Sequence, residues 1–187
     1  TSSNTISSGV CSGLGVPPTA IRHVIGVSKA YCTRVGSGPF PSELLGEQGE
    51  KLRVAGNEFG STTGRPRRCG WLDLPQLKYA AMITGCTHIA LTKLDVLNEF
   101  ETISVVDQYK IGSVASDHVP FDPTEDIDDV VTSTHRGWLQ RVAVDTFAEL
   151  PEDVRTYISF LEEQLSIPIT FVSIGPGREE LIVREWN

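Results

Sequence analysis

Apolar residues recur at helical spacing in three parts of the chain. The strongest of these patterns follows Pro151, and the two acidic residues at its start favour a helix because they stabilise its positive end. In a second segment, Asp73 is predicted to cap a helix, Gln76 to complete a capping box and Gly85 to end the helix. A shorter pattern that follows two prolines predicts a third helix. The apolar positions of the three patterns are Val154, Ile158, Leu161 and Leu165; Leu77, Ala80, Ala81 and Thr84; and Ile21, Val24 and Ile25.

Short apolar runs separate these helical patterns and predict strands. The runs lie at residues 31–35, 89–94, 102–111, 167–172 and 181–183. An acidic, proline-containing loop is predicted over residues 117–129. Strands separated by helices indicate an α/β fold, in which a mixed, layered sheet carries flanking helices. Because no linker-like segment interrupts the pattern, residues 1–187 are predicted to form one unit.

The composition is typical of a globular chain that binds neither membrane nor nucleic acid. Hydrophobic residues make up 40% of the 187 positions, and no apolar run approaches the length of a membrane span. The 24 acidic side chains outnumber the 16 basic ones, and the resulting net charge of -8 argues against a nucleic-acid partner. Any anion-binding site must therefore be a local feature.

The four cysteines are widely spaced, and no two of them form a C-x-x-C pair. This spacing favours neither a disulfide scaffold nor a zinc site, so a reduced, cytoplasmic location is predicted. Residues 1–5 are typical of an interior loop and do not begin with methionine. The chain is therefore expected to begin within a longer protein.

Residues 56–73 combine glycines with three arginines and a pair of threonines, and this composition is typical of an anion-binding loop. Glycines let the backbone approach a ligand closely, and the hydroxyl groups of Thr62 and Thr63 can donate hydrogen bonds. Guanidinium groups form bidentate contacts with carboxylate or phosphate. A solvated basic turn has the same composition, so the residues alone leave both interpretations open.

The second candidate is the tetrapeptide Thr92-Lys93-Leu94-Asp95, which ends a predicted buried strand. It resembles the element with which several nucleotide-binding proteins recognise guanine. A carboxylate at Asp95 can accept hydrogen bonds from the ring N–H and the amino group of guanine, a donor pair that adenine lacks. The aliphatic stem of Lys93 can lie across the base. The alternative is a strand end with an exposed lysine and a loop-initiating aspartate.

Groups for bond-making chemistry are missing from the sequence. No histidine has a second histidine or a cysteine at metal-ligand spacing, and neither a G-x-x-x-x-G-K-[ST] loop nor a G-x-S-x-G elbow occurs. The glycine- and proline-containing turns at residues 33–41 and 173–178 can follow strands with or without a ligand beside them. The residues by themselves therefore indicate a binding surface without reacting groups.

Taken together, these segments resemble the adenylosuccinate synthetase family. Residues 1–5, 34–41, 56–68, 70–73 and 91–95 occur in the order and spacing seen in that family, and the similarity extends over essentially the whole chain. The resemblance implies the α/β fold of the C-terminal part of such an enzyme. It also implies a GTP-dependent ligase that joins L-aspartate to IMP in the synthesis of adenine nucleotides.

The resemblance implies a ligand for each matching position. The positions that correspond to IMP contacts are Thr1, Val35 and Arg65. Those in the loop that closes on the aspartate carboxylates are Ser61, Thr62, Thr63, Gly64 and Arg65. Those that correspond to GTP contacts are Arg67, Lys93, Leu94, Asp95, Ser173, Ile174 and Gly175. Pro66 departs from the arginine found in many members, and it is expected to stiffen the loop because proline lacks an amide donor and fixes φ.

In the family, the catalytic residues, the phosphate loop and the Mg²⁺ ligands belong to the N-terminal part. The resemblance therefore implies no catalytic residue and no metal ligand in this chain, which is expected to be inactive alone. GTP, IMP, L-aspartate and Mg²⁺ are the ligands implied for the full-length enzyme, and a homodimer is its implied assembly. A different class of function stays open, namely a non-catalytic regulatory protein that keeps the guanine pocket of the same fold.

Overall fold

The computed structural model describes residues 4–120 and 127–185, and helices and strands alternate along most of that length. The helices are α1 (Ser8–Leu14), α2 (Glu47–Ala55), α3 (Leu74–Thr84) and α4 (Glu152–Leu165). The strands are β1 (Ile25–Lys29), β2 (Cys32–Arg34), β3 (Arg68–Gly70), β4 (Leu72–Asp73), β5 (His88–Thr92), β6 (Thr102–Ile111), β7 (Val114–Ser116), β8 (Asp129–Arg136), β9 (Ile169–Ser173) and β10 (Leu181–Val183). The predicted α/β fold with flanking helices is confirmed.

The central sheet has the strand order β1-β5-β9-β10. Strands β1, β5 and β9 run parallel, and β10 is antiparallel to β9. Leu91 of β5 pairs with Val172 of β9, and both side chains are fully buried. Because parallel neighbours end on the same side, the carboxyl ends of β1, β5 and β9 open onto one edge of the sheet.

Two smaller sheets flank this one. In the first, β2 pairs antiparallel with β3, so that Arg34 lies opposite Arg68. In the second, β6 is parallel to β4 and antiparallel to both β7 and β8. Strand β6 has buried positions on one face and β8 alternates half-buried with exposed positions, as expected when one face of an antiparallel pair lies towards the core.

The predicted helix after Pro151 is confirmed as α4, and its spacing of apolar residues explains why it forms. Val154, Ile158, Leu161 and Leu165 are buried in the hydrophobic core that also contains residues of β5 and β9. Each such side chain contributes roughly 1.5 to 3 kcal/mol by leaving water. The acidic residues Glu152 and Asp153 lie in the first turn, where the helix end is positive.

The second predicted helix is confirmed as α3, with one difference at its start. The Asp73 carboxylate caps the helix by accepting the backbone N–H of Gln76 at 3.1 Å. The Gln76 side chain does not complete a capping box; its amide donates to the same carboxylate at 3.3 Å. Gly85 ends the helix in a left-handed conformation, as predicted.

The third predicted helix, around Ile21 to Ile25, is wrong. Only a single 3-10 turn forms at Pro18–Ala20, and Ile21 is already extended. The chain then enters β1, whose five residues all pair with β5. Pairing in a parallel sheet outweighs a helical spacing that rested on β-branched residues, which themselves favour strands.

The predicted strands at residues 31–35, 89–94, 102–111, 167–172 and 181–183 correspond to β2, β5, β6, β9 and β10, with ends that differ by a few residues. The predicted acidic loop lies partly outside the described residues, and β8 begins where that loop was expected to end. Strands β1, β3, β4, β7 and β8 and helices α1 and α2 were not predicted. No helix within residues 4–120 and 127–185 is long and apolar enough to cross a membrane.

Candidate functional site

A buried carboxylate lies beside the carboxyl edge of the parallel strands. Glu58 follows α2, and only 1% of its side chain is exposed. Its Oε1 accepts hydrogen bonds from Lys29 Nζ at 2.7 Å and from the Tyr31 hydroxyl at 2.6 Å. Its Oε2 accepts from Arg67 Nη1 at 2.8 Å, and Lys93 Nζ lies 3.3 Å from Oε1. We call these five residues the Glu58 cluster.

The cluster stays charged, because favourable contacts outweigh the effect of burial. Burial alone would raise the pKa of Glu58, but the hydrogen bonds from Lys29, Tyr31 and Arg67 lower that pKa to about 2. Burial and the bond to Glu58 raise the pKa of Tyr31, so its hydroxyl keeps its proton and donates. Three cations thus surround one carboxylate, which leaves a local excess of positive charge in an acidic chain.

The sheet brings two of these cations together from different strands. Lys29 is the last residue of β1 and pairs with Thr92, the last residue of β5. Lys93 follows at once and has a left-handed backbone, with φ of 60°. Its ammonium group also donates to the carbonyl oxygen of Gly56 at 2.6 Å. The lysine of the predicted guanine element is therefore fixed to the segment that precedes the arginine-rich loop.

The arginine-rich loop is a hairpin with a structured base and an exposed tip. At its base, the N–H of Arg67 donates to the carbonyl of Glu58, and Phe59 forms a bridge with Pro66. Gly60 donates to the carbonyl of Arg65 at 2.8 Å and accepts from the N–H of Gly64. All residues from 61 to 66 are exposed. We call residues 61–65 the loop tip.

The loop tip contains every position predicted to contact aspartate. Gly64 has a φ of 63°, which a residue with a side chain adopts only with strain. The side chain of Arg65 makes no hydrogen bond or ion pair with another described residue. Its guanidinium group, like the hydroxyls of Thr62 and Ser61, therefore faces solvent and is available to a ligand.

The pairing of β2 with β3 carries a second loop to the same side of the molecule. Val35 follows Arg34, which lies opposite Arg68, so Val35 leaves β2 beside the residue that enters β3. Arg68 donates to the carbonyls of Gly36 and Gly38, and its guanidinium also binds both oxygens of Glu43. These bonds hold the loop after β2 next to the base of the arginine-rich hairpin.

Asp95 lines a cleft of about 430 Å³. It lies in the 3-10 turn Leu94–Glu99 that follows Lys93, and its carboxylate accepts no hydrogen bond from another described residue. Other lining residues come from α2, from the segment after β8 and from the turn after β9. They include Ala55, Leu139, Arg141, Pro176 and Glu180. We call this space the Asp95 cleft.

The turn after β9 supports one wall of this cleft from behind. Ile174 and Gly175 are buried, and the Ser173 hydroxyl donates to the carbonyl of Gly175 at 2.9 Å. A Cβ at Gly175 would clash with the carboxyl group of Glu180, so glycine is required there while Glu180 keeps this position. Of the residues after β9, Pro176 and Glu180 are the ones that line the space. Ser173, Ile174 and Gly175 therefore support the wall from behind, while Pro176 and Glu180 form its surface.

The structure thus gathers the predicted positions in three neighbouring places. Lys93 and Arg67 meet at Glu58, Asp95 lies in the cleft, and the predicted aspartate contacts form the loop tip. Leu94 is 1% exposed, so it can offer a ligand only its backbone. Thr1 lies outside the described residues. Ligand assignments for all of these positions stay predictions.

Sequence reasoning missed Glu58, Lys29 and Tyr31. The only available signal was an acidic residue directly before an otherwise basic loop. Nothing in the spacing shows that the end of β1 and the turn after it, 29 and 27 positions earlier, supply two of its partners. Within the described ranges, no group of three or more His, Cys, Asp or Glu side chains is placed to hold a metal ion.

Comparison with known proteins places these features in a family. The family model described as Adenylosuccinate synthetase matches residues 1–182. Proteins named adenylosuccinate synthetase from Cytophaga hutchinsonii and Chlorobium phaeobacteroides are each 50% identical to this chain, over 189 and 186 aligned residues. These alignments cover 100% and 98% of this chain but only 44% and 43% of the relatives. The chain thus spans less than half the length of the relatives it matches.

A solved structure agrees with this comparison. The fully ligated adenylosuccinate synthetase from Plasmodium falciparum superimposes on this chain with a TM-score of 0.91 and 40% identity. The match covers 99% of this chain and 45% of the Plasmodium chain. The order of strands and helices described above is therefore that of one part of a larger fold.

Proposed function

This chain belongs to the adenylosuccinate synthetase family, and we propose that it forms the part of a GTP-dependent ligase that binds guanine, IMP and L-aspartate. In the proposed reaction the γ-phosphoryl group of GTP is transferred to the 6-oxygen of IMP. The amine of aspartate then attacks carbon 6 of the IMP base and displaces the phosphorylated oxygen as phosphate. The products are adenylosuccinate, GDP and phosphate. Positioning and neutralisation of charge are what such steps require of the protein.

The observation that carries this proposal is the meeting of the guanine element and the arginine-rich loop at Glu58. Lys93 comes from the end of β5 and Arg67 from the base of the hairpin, and both approach the same buried carboxylate. A phosphoryl donor and an amino acid substrate must lie close together in a reaction of this kind. A solvated basic turn, which is the simpler interpretation of the loop, would not need such an anchor.

Asp95 and the turn after β9 are proposed to bind guanine. The free carboxylate of Asp95 can accept the ring N–H and the amino group of the base, while Ser173, Ile174 and Gly175 shape the opposite wall. Adenine has no such donor pair and would leave the carboxylate without partners in the closed complex. The Leu94 backbone and the Lys93 stem border the same base in this proposal.

The exposed loop tip is proposed to bind aspartate. Arg65 offers a planar pair of donors to a carboxylate, and Ser61, Thr62, Thr63 and Gly64 add hydroxyl or backbone donors. Thr1, Val35 and Arg65 are the proposed IMP contacts. The side chain of Val35 is 74% exposed and is therefore accessible to IMP.

Mg²⁺, a homodimer and a cytoplasmic location complete the proposal for the full-length enzyme. The described residues offer no cluster that fits a metal ion of their own, so no step is assigned to a metal held by this chain. We propose that the ion and the catalytic groups are supplied by the part of the family fold outside residues 1–187. The chain alone is accordingly proposed to bind ligands without turnover.

The proposal is tested by the Asp95→Ala variant of the complete gene product. Loss of a charged acceptor that pairs with two donors should cost on the order of 2 to 4 kcal/mol of GTP binding free energy. Binding of IMP should change little, since Asp95 lies apart from its proposed contacts. Titration with GTP, ATP and IMP measures all three affinities.

The matched control is Glu99→Gln, which changes another acidic residue of the same 3-10 turn and the same cleft. This variant should keep its preference for GTP over ATP, because guanine is selected by the carboxylate of Asp95 and not by the overall negative charge of the cleft. If Asp95→Ala binds GTP and ATP in the same ratio as the unchanged protein, the guanine assignment is wrong.

A further inference from the structure

Glu58 is the most completely partnered charged residue at the site, yet no ligand can reach it directly. Its side chain is 1% exposed, and its two oxygens receive groups from β1, from the base of the hairpin and from the start of the 3-10 turn after β5. A buried carboxylate is costly unless it is paired on all sides. Its position therefore needs an explanation beyond packing.

We infer that Glu58 is a positioning residue that sets Lys93 and Arg67 for the nucleotide and joins the guanine site to the arginine-rich loop. The inference rests on the proposed function of those two cations and adds a residue to which nothing else assigns a role. Glu58 acts through Lys93 and Arg67, so it needs no contact with a substrate.

Glu58 and its neighbour Gly56 hold the side chain of Lys93. A free lysine side chain samples many rotamers, and ordering it costs entropy unless its ammonium group is held. Here the ammonium has two anchors, the Glu58 carboxylate at 3.3 Å and the Gly56 carbonyl at 2.6 Å. Both anchors belong to the same short segment. These two contacts fix the conformation of the Lys93 side chain before a guanine base binds.

Glu58 also holds Arg67, through both its side chain and its backbone. Arg67 Nη1 donates to Oε2 at 2.8 Å, and the Arg67 N–H donates to the Glu58 carbonyl at 2.9 Å. Arg67 Nε is buried and has no hydrogen-bond partner among the described residues. The orientation of the Arg67 guanidinium group is thus set by its bond to Glu58.

The Glu58 carboxylate also balances the charges of three cations. Lys29, Arg67 and Lys93 would repel one another without a central anion, and each is exposed enough to turn towards water. Tyr31 cannot replace the anion, because its raised pKa keeps the hydroxyl protonated. The negative charge of Glu58, more than its shape, is therefore what holds the arrangement.

The test is Glu58→Gln in the complete gene product, since glutamine keeps the shape and removes the charge. We expect the Michaelis constant for GTP to rise about tenfold to a hundredfold, as for loss of one partner of a buried charge pair. The constant for IMP should stay within about twofold, because Val35 and Arg65 are not bonded to Glu58. Steady-state kinetics with each substrate varied in turn measures both.

Glu162→Gln is the matched control for loss of a partly buried ion pair. Glu162 binds Arg184 and the N–H of Ile169, at the opposite end of β9. Both variants should lower the melting temperature, but only Glu58→Gln should change the constant for GTP. If both variants or neither raise the GTP constant, Glu58 has no positioning role.

A double-mutant cycle with Lys93→Met separates positioning from stability. Because Glu58 acts through Lys93 as well as through Arg67, the effects of Glu58→Gln and Lys93→Met on GTP should combine to less than their product, whereas independent effects would multiply fully. Multiplying effects overturn the inference. If Lys93→Met and Asp95→Ala both leave GTP affinity unchanged, the proposed guanine site itself fails. If Lys93→Met weakens GTP binding and Glu58→Gln does not, only the positioning role is lost.

Discussion

Arg65 and Arg67 lie two positions apart in one hairpin, and the structure treats them in opposite ways. Arg67 is bonded to a buried carboxylate through its side chain and to the same residue through its backbone. Arg65 lies in an exposed tip, and its guanidinium makes no bond to another described residue. We therefore expect the base of the hairpin to be set before ligands bind and the tip to become ordered only when a ligand binds.

The largest expected effect comes from Arg65→Leu in the complete gene product. Loss of a bidentate carboxylate contact should raise the Michaelis constant for aspartate by about a hundredfold, with a much smaller change for GTP. Arg65→Lys should also be poor, because an ammonium group keeps the charge but not the planar pair of donors. Arg67→Leu, the matched variant at the base, should act mainly on GTP and turnover. Equal effects of both leucine variants on aspartate would remove the distinction between base and tip.

A smaller effect, on the free energy of unfolding at low pH, is expected from Glu58 at the base of the hairpin. The folded pKa of Glu58 is about 2, below the ordinary value of 4.5, so its stabilising contribution is complete above pH 4.5 and disappears as the pH falls towards 2. Glu58→Gln should lower the free energy of unfolding by on the order of 1 to 3 kcal/mol at neutral pH, and by progressively less in acid. Denaturant melts of both proteins between pH 2.5 and 7 measure the difference, within the usual approximation of a two-state transition. A difference that does not shrink below pH 4.5 would contradict the role of charge.

The smallest effect is expected at the tip, from Gly64→Ala. Alanine at a φ of 63° should cost about 1 kcal/mol, and the reshaped tip should raise the aspartate constant severalfold. Gly112→Ala is the control, since Gly112 has a φ of 60° and also has open space where the added methyl group would lie, in the turn between β6 and β7. Kinetics and melting curves of both variants should agree in stability and differ only in aspartate dependence. A rise in the aspartate constant for both would mean that strain, not the tip, is responsible.

The sequence predicted the parts of the fold that depend on local pattern. Helix α4 followed from the spacing of four apolar residues, and α3 from Asp73 and Gly85 at its ends. The helix expected around Ile21 to Ile25 failed because β1 gains its stability from pairing with β5, more than 60 positions later in the chain. Local spacing contains no information about such a partner.

The site divides in the same way. The arginine-rich loop and the Thr92 to Asp95 element were recognisable, because their residue types and order carry their chemistry. The cluster that joins them was not, since Lys29, Glu58 and Lys93 come together only when β1, β5 and the hairpin are assembled. The family comparison adds the larger context but leaves each ligand contact a prediction.

The left-handed backbone of Lys93 has a consequence for substitutions at this position. A residue with a side chain pays roughly 1 to 2 kcal/mol in that conformation, which glycine would avoid. Glycine or asparagine at position 93 would relieve that backbone strain but would also remove an ammonium group from the buried Glu58 carboxylate, so stability should change little while GTP binding weakens. Lysine at position 93 thus combines an unfavourable backbone conformation with a positive charge beside the Glu58 carboxylate.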